Sequence, residues 1–349
     1  MKAVQLVKPG ALELADLATP AIGDSDVLLR VLAAGVCQTD VHMRRTTEVW
    51  APSGTVLGHE SCGQVVEVGA GVSNWQPGDT VVVHPVWSCG GCPACVAGRQ
   101  NACMRTGGRM IPAPTPGVSA GVHGGMAEYM VAPAAALVGV GDLDPALAAT
   151  LTDAALTPYH SIRRTQDLLV PGATAVVIGA GGLGRMAVQI LRAITAARVI
   201  VLDVLDEALD AVRDQVDVAL RADDPEAAEV VLKATSGYGA EVVFDLVGND
   251  RTLAFAAGVV APYGAVRAIG LSEGTFAFET SQGAMSLPWG ATVTRPYSGT
   301  LQDLVEVVGL ARAGLLRPEI HRFPLDRALS AFDELEAGRM RGRAVLIPG

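Results

Sequence analysis

The chain has 349 residues and a formal net charge of −10, and half of its residues are apolar although only 4% are aromatic. Its length exceeds the usual size of a single hydrophobic core, so roughly two domains are expected. The acidic balance argues against nucleic acid and against an anionic membrane surface, because both repel a negatively charged protein, and it makes a small molecule the expected partner.

The N-terminal segment and the cysteines indicate the compartment. The first residues lack the apolar run and the small-residue cleavage site of a secretory signal peptide, so a cytoplasmic location is expected. The most apolar later stretch, residues 186–202, contains Arg192 and Arg198 and predicts a buried helix followed by a strand rather than a membrane span. In a reducing compartment, the six cysteines favour metal binding or catalysis over disulfides.

Two kinds of pattern follow each other along the chain. Short β-like runs broken by Gly and Pro, such as residues 27–31 and 63–68, continue to about residue 145 and predict a barrel-like β domain. From about residue 151 to residue 280, predicted strands and helices alternate, which is typical of a doubly wound parallel sheet. The strands of this region are predicted at residues 174–178, 198–202, 241–246 and 265–269. A helix at 301–313 and a last strand at 344–347 follow.

A glycine-rich motif lies between the first of these strands and a helix. Its glycines, Gly179, Gly181 and Gly184, are spaced to give a tight turn, room for a pyrophosphate against the backbone, and close packing of helix on strand. Gly182 and Leu183 complete the loop at the helix start, where unpaired N–H groups favour an anion. The pattern predicts a dinucleotide site.

Asp203 ends the next strand, about 20 residues beyond the motif, where a carboxylate accepts hydrogen bonds from the adenosine ribose. The alternative is a solvated strand end or a helix cap. No Arg or Lys follows Asp203 in Val204, Leu205 and Asp206, so a 2′-phosphate would be repelled without compensation. We therefore expect NAD rather than NADP.

Four cysteines are concentrated in one Gly- and Pro-rich segment, which we call the cysteine lobe: Cys89, Cys92, Cys95 and Cys103. Short, flexible spacings of this kind suit tetrahedral zinc, and four thiolates leave no position for a substrate. A structural zinc is the predicted occupant. Free thiols clustered by chance, or disulfides, are the alternatives.

Cys37 and His59 lie in separate segments. A thiolate and an imidazole from two loops can form part of a zinc site that keeps an open position, as metal catalysis requires, but a third ligand must be found. The alternatives are a buried apolar thiol at Cys37 and a hydrogen-bonded core histidine at His59. Cys62 is interpreted as a core residue.

Taken together, these motifs resemble the zinc-dependent medium-chain alcohol dehydrogenases, and the match extends along essentially the whole chain. Besides the cysteine lobe and the Gly179 motif, it is carried by Cys37, Thr39, Asp40, Gly58, His59, Glu60, Gly63, Gly69, Gly78, Asp79 and residues 125–129. The resemblance implies an α/β protein with a chaperonin-10-like β-barrel catalytic domain at 1–150 and 288–349. It places a Rossmann-type NAD-binding domain at 151–287.

The resemblance also implies roles at the metal. Cys37 and His59 would be ligands of a catalytic zinc, Asp40 would orient His59, and Glu60 would lie beside the metal as an occasional ligand.

Three further residues match positions that act on the proton and the cofactor. Thr39 matches the hydroxyl that takes the alcohol proton, and His42 the base that passes it to solvent. Arg341 matches a basic residue that approaches the pyrophosphate, with Arg343 less favoured and a surface charge as the alternative for either.

The third zinc ligand departs from the best-known members, which use cysteine, or glutamate in the polyol branch, just before the nucleotide domain. In the corresponding segment, residues 151–158, Asp153 is the metal-binding side chain, and it resembles the aspartate of some bacterial secondary-alcohol dehydrogenases. The alternative is an N-cap for a helix beginning at Ala154.

The expected activity is hydride transfer between NAD and a primary or secondary alcohol, or the matching aldehyde or ketone, by a homodimer or homotetramer with two zincs per chain. Aromatic residues in segments that line the substrate cleft of relatives suit a medium-sized apolar or aryl substrate, with ordinary core packing as the alternative: Trp50, Trp87, Trp289 and Tyr297. The same fold also accommodates the reduction of an imine or activated alkene, a zinc-free quinone reductase, and a non-catalytic NAD-binding protein. An intact set of metal and proton-transfer residues argues against the last two.

Overall fold

A computed structural model describes residues 1–45, 52–110, 112–281 and 284–349. The chain forms two compact units: unit 1 contains Met1–Leu156 and Ser298–Gly349, and unit 2 contains Thr157–Tyr297. The sequence places the two boundaries near residues 150 and 288, several residues earlier in each case. The first difference arises because one helical segment continues past residue 150, with Leu151 and Ala154 fully buried.

The strands are short, as expected for a chain rich in Gly and Pro. In chain order they are β1 (Lys2–Lys8), β2 (Ala11–Asp16), β3 (Asp26–Val36), β4 (Thr55–Val56), β5 (Glu60–Val68), β6 (Thr80–Val83), β7 (Tyr129–Pro133), β8 (Leu137–Gly139), β9 (Thr174–Ile178), β10 (Arg198–Asp203), β11 (Val218–Arg221), β12 (Ala240–Asp245), β13 (Val260–Ala268), β14 (Thr280–Ser281), β15 (Ala284–Met285), β16 (Thr292–Thr294), β17 (Ile320–Pro324) and β18 (Arg343–Ile347).

The helices are mostly one to three turns long. They are α1 (Gln38–Arg45), α2 (Pro93–Val96), α3 (Pro145–Thr150), α4 (Leu156–Arg163), α5 (Gly182–Ile194), α6 (Asp206–Asp210), α7 (Ala227–Ala234), α8 (Asp250–Val259), α9 (Leu301–Arg312) and α10 (Ala328–Glu336), with a π-helical turn at Leu151–Ala155. In the part of the chain that the structure describes, no helix has both the length and the hydropathy that crossing a bilayer requires.

Unit 1 is built on a β sheet of the order β17-β18-β3-β5-β6-β8, with β7 also paired to β3 and a smaller sheet of the order β2-β1-β4. Alternate residues of β3, among them Val27, Leu29 and Val31, lie in one apolar core, because side chains at every second position share one face of a strand. The antiparallel register sets Gly35 opposite Glu60. The end of β3 and the start of β5 therefore lie side by side.

Unit 2 contains a parallel sheet of the order β11-β10-β9-β12-β13-β16. Counted from β9, this is 3-2-1-4-5-6, the strand order of dinucleotide-binding sheets, so the predicted doubly wound sheet is confirmed. β9 is buried along its whole length, because helices cover both faces of such a sheet. In a parallel sheet the carboxyl ends of the strands meet at one edge, which places Gly179 and Asp203 together.

Gly58 occupies a turn that leads into β5, and it has a φ of +103°. A Cβ at Gly58 would lie 2.8 Å from the backbone nitrogen of Met126, which is closer than Cβ atoms approach backbone. Gly54 has a similar φ of +96°, yet the nearest atom to its Cβ would be Gln5 Nε2 at 3.9 Å. An alanine would be strained by its positive φ at either glycine, but only at Gly58 would it also overlap a neighbouring residue.

We expect Gly58→Ala to destabilise unit 1 more than Gly54→Ala does. Both variants carry the cost of a side chain in the left-handed region, about 1–2 kcal/mol, and Gly58→Ala adds an overlap cost of about 1–3 kcal/mol. Urea unfolding of the two variants measures the difference. Equal free energies of unfolding would show that Met126 moves aside without cost.

Candidate metal centres and nucleotide motif

Four side chains that can bind a metal converge in unit 1. Cys37 follows β3, His59 immediately precedes β5, Glu60 begins β5, and Asp153 lies on the π-helical turn. Their ligand atoms all lie within 4.8 Å of one another. The pairing of β3 with β5 brings the first three together, and the helical segment of residues 145–163 supplies the fourth.

The distances fit a single tetrahedral ion. Cys37 Sγ lies 3.3 Å from Asp153 Oδ2, and His59 Nε2 lies 3.7 Å from the same oxygen. Tetrahedral zinc with bonds of about 2.0–2.3 Å separates its ligand atoms by roughly 3.3–3.8 Å. A thiolate, an imidazole and a carboxylate are also the donor types that zinc accepts. We call Cys37, His59, Glu60 and Asp153 the open zinc centre.

Asp40 links two of these ligands and is completely buried. Its Oδ2 accepts a hydrogen bond from the backbone N–H of Cys37 at 2.9 Å, and its Oδ1 lies 3.2 Å from His59 Nδ1. A carboxylate accepts from a protonated Nδ1, which leaves Nε2 free for a metal. Burial opposes the charged form of His59, but Asp40 and the hydrogen bond to Asp153 outweigh it and hold the pKa of His59 well above its usual value.

Glu60 is paired with an arginine from the far end of the chain. Arg343 Nη2 donates to Glu60 Oε1, and both side chains are buried. Glu60 Oε2 has no hydrogen-bond partner among the described residues. Burial raises the pKa of Glu60 to about 7, against the opposing charge of Arg343. The carboxylate therefore has one oxygen held by Arg343 and one available at the open zinc centre.

Asp153 is not the N-cap of a helix that begins at Ala154, which was the alternative to its role as a ligand. The helical segment begins at Pro145, where Asp144 is the N-cap, and it continues through Asp153 into α4. A π-helical turn holds one extra residue, and such turns are frequent at functional sites. The π-helical turn packs against α9. The loop just before α9 is held in place by the buried His84, whose Nε2 lies 3.0 Å from the Gly299 carbonyl oxygen.

The predicted proton-transfer residues share one helix. Thr39 and His42 are three residues apart on α1, so their side chains project from the same face. Thr39 Oγ1 lies 3.8 Å from Cys37 Sγ, and both Thr39 and His42 are half-buried. The hydroxyl is therefore beside the open zinc centre, and the imidazole is one helical turn further along.

The cysteine lobe forms a second cluster. Cys92 Sγ lies 3.5 Å from Cys95 Sγ and 3.9 Å from Cys103 Sγ, and Cys89 belongs to the same group. These separations fit the edges of a tetrahedral Cys₄ zinc site, about 3.8 Å for Zn–S bonds of about 2.3 Å.

The electrostatics of the lobe favour thiolates at two positions. Backbone N–H groups lower the pKa of Cys92 to about 7. Burial acts in the opposite direction on Cys103, but hydrogen bonds from Thr106 and the backbone lower its pKa to about 5. Burial raises the pKa of Cys95 to about 11. Two of the thiols, Cys92 and Cys103, therefore ionise readily, whereas zinc must displace the proton of Cys95 when it binds.

The glycine motif of unit 2 has the geometry that its spacing predicts. Gly179 has a φ of +95°, and a Cβ at Gly184 would overlap the carbonyl oxygen of Gly179. Gly181, which caps α5, has open space around its Cβ direction. Gly182 and Leu183 form the first helical residues of α5, whose N-terminus faces the loop.

Asp203 is engaged by this loop. Its Oδ2 accepts from the backbone N–H of Ala180 at 2.6 Å, and its Oδ1 accepts from Leu205 at 2.9 Å. One expectation about its surroundings is wrong: a cation is present, because the parallel register sets Arg221 of β11 opposite Asp203.

The two C-terminal arginines differ in environment. Arg341 is exposed in the turn before β18, whereas Arg343 is buried against Glu60. The sequence did not connect Arg343 with the metal centre, because only the adjacency of β18, β3 and β5 brings these residues together. Of the aromatic residues, Trp87 packs against the core of unit 1 and Trp289 is 73% exposed, while Trp50 lies outside the described residues.

Comparison with known proteins identifies the family. Residues 23–142 match the alcohol dehydrogenase GroES-like domain, and residues 214–346 match the zinc-binding dehydrogenase family. An NAD-dependent alcohol dehydrogenase of Sulfurisphaera tokodaii is 32% identical, with 100% of both chains covered. The chain belongs to the zinc-dependent medium-chain alcohol dehydrogenases.

Other members of the family extend this comparison. The D-arabinose 1-dehydrogenase (NADP(+)) of Saccharolobus solfataricus is 33% identical, with 97% of this chain and 94% of that protein covered. The alcohol dehydrogenase structure from Aeropyrum pernix has a TM-score of 0.90 at 32% identity, with both chains fully covered. An acetophenone reductase from Geotrichum candidum, solved in complex with NAD, has a TM-score of 0.84 at 29% identity, covering 99% of this chain and 96% of that one.

These matches confirm the predicted fold class, a GroES-like domain combined with a parallel-sheet domain. They also confirm the prediction that the chain is an oxidoreductase of the alcohol dehydrogenase type. The open zinc centre fits a catalytic zinc, and the cysteine lobe fits a structural zinc.

We expect Asp153→Ala in this alcohol dehydrogenase to lose one zinc per chain while the protein stays folded. The reason is that Cys37 and His59 alone would hold the ion, because Glu60 is already paired with Arg343, whereas the cysteine lobe is untouched. Metal analysis and circular dichroism measure the two effects.

Asp144→Ala is the matched control on the same helical segment. It removes the N-cap bond to the backbone of Leu147 and should cost about 1 kcal/mol of stability with full zinc content. Retention of both metals in Asp153→Ala would contradict the ligand assignment.

Alanine substitutions at two of the motif glycines should affect different properties, stability in one case and dinucleotide affinity in the other. Gly184→Ala should lower the stability of unit 2, because the added methyl overlaps the Gly179 carbonyl oxygen. Gly181→Ala should fold normally but weaken dinucleotide affinity, because the pyrophosphate needs that space. Thermal unfolding and fluorescence titration with NADH distinguish the two. Identical behaviour of both variants would contradict the separate roles.

Proposed function

We propose that the protein is an NAD-dependent alcohol dehydrogenase that interconverts medium-sized apolar or aryl secondary alcohols and their ketones. The observation that carries the proposal is the open zinc centre, in which Cys37, His59 and Asp153 converge at tetrahedral distances. When bound there, zinc supplies a Lewis acid for the alcohol or carbonyl oxygen, and NAD supplies the hydride acceptor.

The chain's own residues hold the ligands and move the proton. Asp40 fixes the backbone at Cys37 and the ring of His59, so it orients two of the ligands. Thr39 would take the alcohol proton onto its oxygen as it passes its own hydroxyl proton on, and His42, on the same face of α1, would release a proton to water. Glu60, held by Arg343, stays beside the centre as a carboxylate that can approach the metal.

The nucleotide motif of unit 2 supports NAD. The N-terminus of α5 and the open space at Gly181 suit a pyrophosphate, and Asp203 suits the ribose hydroxyls of the adenosine. Both the Sulfurisphaera tokodaii dehydrogenase and the Geotrichum candidum reductase are described with NAD.

Two features support an apolar or aryl secondary alcohol as substrate. Asp153 resembles the aspartate of some bacterial secondary-alcohol dehydrogenases, and the relative described as an acetophenone reductase favours an aryl ketone. The relative described as a D-arabinose dehydrogenase favours a sugar instead, so the test must include one.

The test combines metal analysis with NADH formation from a panel of secondary aryl alcohols, secondary aliphatic alcohols and D-arabinose. We expect zinc at both clusters and turnover that is highest with aryl or aliphatic secondary alcohols. Zinc at the cysteine lobe alone, without turnover, would overturn the proposed activity. Turnover that is highest with the sugar would overturn the substrate class.

Variants at Thr39 provide the mutational arm of this test. Thr39→Val should lower kcat by about 10²–10⁴-fold while both zincs remain, because the hydroxyl relays the proton but does not bind the metal. Thr39→Ser keeps the hydroxyl and should retain most activity. If Thr39→Val turned over like the wild type, the proton path would have to start elsewhere.

A further inference from the structure

Arg221 and Asp203 lie at the same end of the parallel sheet. In the register of β10 and β11 they are opposite each other, and the backbone N–H of Ala222 donates to the Asp203 carbonyl at 2.9 Å. Neighbouring strands are about 4.8 Å apart. A cationic side chain therefore starts one strand away from the carboxylate that we assign to the adenosine ribose.

Two acids hold this guanidinium. Arg221 Nε and Nη2 make a bidentate pair with Asp223, at 2.9 and 2.7 Å, and Nη1 lies 3.2 Å from Asp206 Oδ1. The three side chains are partly exposed, at 40% for Arg221, 69% for Asp206 and 43% for Asp223. The pairs are accessible to a ligand and can be exchanged for one.

We propose that Asp206 and Asp223 make the enzyme selective for NAD over NADP by occupying Arg221. The inference rests on the proposed function, in which the Gly179 motif binds the cofactor and Asp203 accepts from its ribose. A planar guanidinium is the preferred partner of a phosphate, because it donates two parallel hydrogen bonds. In this chain that donor pair is already taken by Asp223.

The charges explain why NADP is disfavoured and NAD is not. A 2′-phosphate would meet three carboxylates, Asp203, Asp206 and Asp223, against the cations Arg221 and Arg251, of which Arg221 pairs directly with two of these acids. To bind Arg221 it must displace Asp223 and leave that carboxylate unpaired beside it. A ribose hydroxyl carries no charge and can donate to Asp203 without disturbing the pair. Arg221 is therefore a latent phosphate site that two acids keep closed.

The test measures the dissociation constants of NADH and NADPH by fluorescence titration of the zinc-loaded full chain. The variant Asp206→Asn with Asp223→Asn should bind NADPH about tenfold more tightly than the wild type. Its affinity for NADH should change little. The gain should shrink at high ionic strength, because screening weakens exposed pairs.

Two controls separate the mechanisms. Asp210→Asn removes another exposed acid of α6, one that pairs with Arg213, and should leave both affinities unchanged. Adding Arg221→Ala to the double variant should abolish the gain in NADPH affinity. If the gain survived, the acids would act by general repulsion, and the role of Arg221 would be wrong.

The remaining outcomes are also decisive. A wild-type chain that binds neither cofactor would overturn the proposed function and this inference together. A wild type that binds NADH, with a double variant whose NADPH affinity is unchanged, would overturn this inference alone. Because the substituted acids are exposed, each single variant, Asp206→Asn or Asp223→Asn, provides the same measurement should the double variant fold poorly.

Discussion

The open zinc centre depends on the antiparallel pairing of β3 with β5, in which Gly35 lies opposite Glu60. That pairing sets Cys37, just after β3, beside His59, just before β5. Gly35 has no Cβ, and a Cβ there would overlap the carboxylate of Glu60. A slip of one residue would turn Glu60 to the other face and separate the two ligands. The apolar core beneath β3 therefore fixes the metal chemistry above it.

Charged side chains buried around this centre have partners within the protein. Asp40 faces His59, and Arg343 faces Glu60, so two carboxylates that would be costly to bury alone each have a partner. A buried ion pair adds little net stability, because desolvation offsets the attraction. Its value here is positional: Arg343 holds one oxygen of Glu60 and leaves the other facing the ligands.

Local signals predicted a large part of the fold and of the site. The glycine motif and the cysteine lobe are compact in sequence, so their spacing alone specified a turn, an anion site and a Cys₄ cluster. The doubly wound sheet could also be predicted from the sequence, because its buried strands are continuous apolar runs. Asp153 was identified as a ligand candidate, but its π-helical turn was not, since no residue type marks the insertion of one residue in a helix.

Arg343 and Arg221 show where prediction from the sequence stopped. Arg343 meets Glu60, and Arg221 comes to lie opposite Asp203, only through strand pairing, and strand neighbours far apart in sequence carry no local signal. Arg343 reaches Glu60 because β18 pairs with β3 and β3 with β5. Arg221 lies opposite Asp203 because β11 pairs with β10. The absence of a cation after Asp203 in the sequence was therefore no guide to the charge around it in space.

The two metal centres differ in what holds their ligands. The cysteine lobe has a small apolar cluster of its own, made of the lobe cysteines with Val86, Ala94 and Ala113. So little apolar area cannot order a segment of this length, and metal binding must supply much of its folding free energy. At the open zinc centre, the main core of unit 1 orders the flanking strands, and Asp40 orients two ligands. We therefore expect the lobe to depend on its metal for folding, whereas at the open zinc centre the core of unit 1 and Asp40 position the ligands.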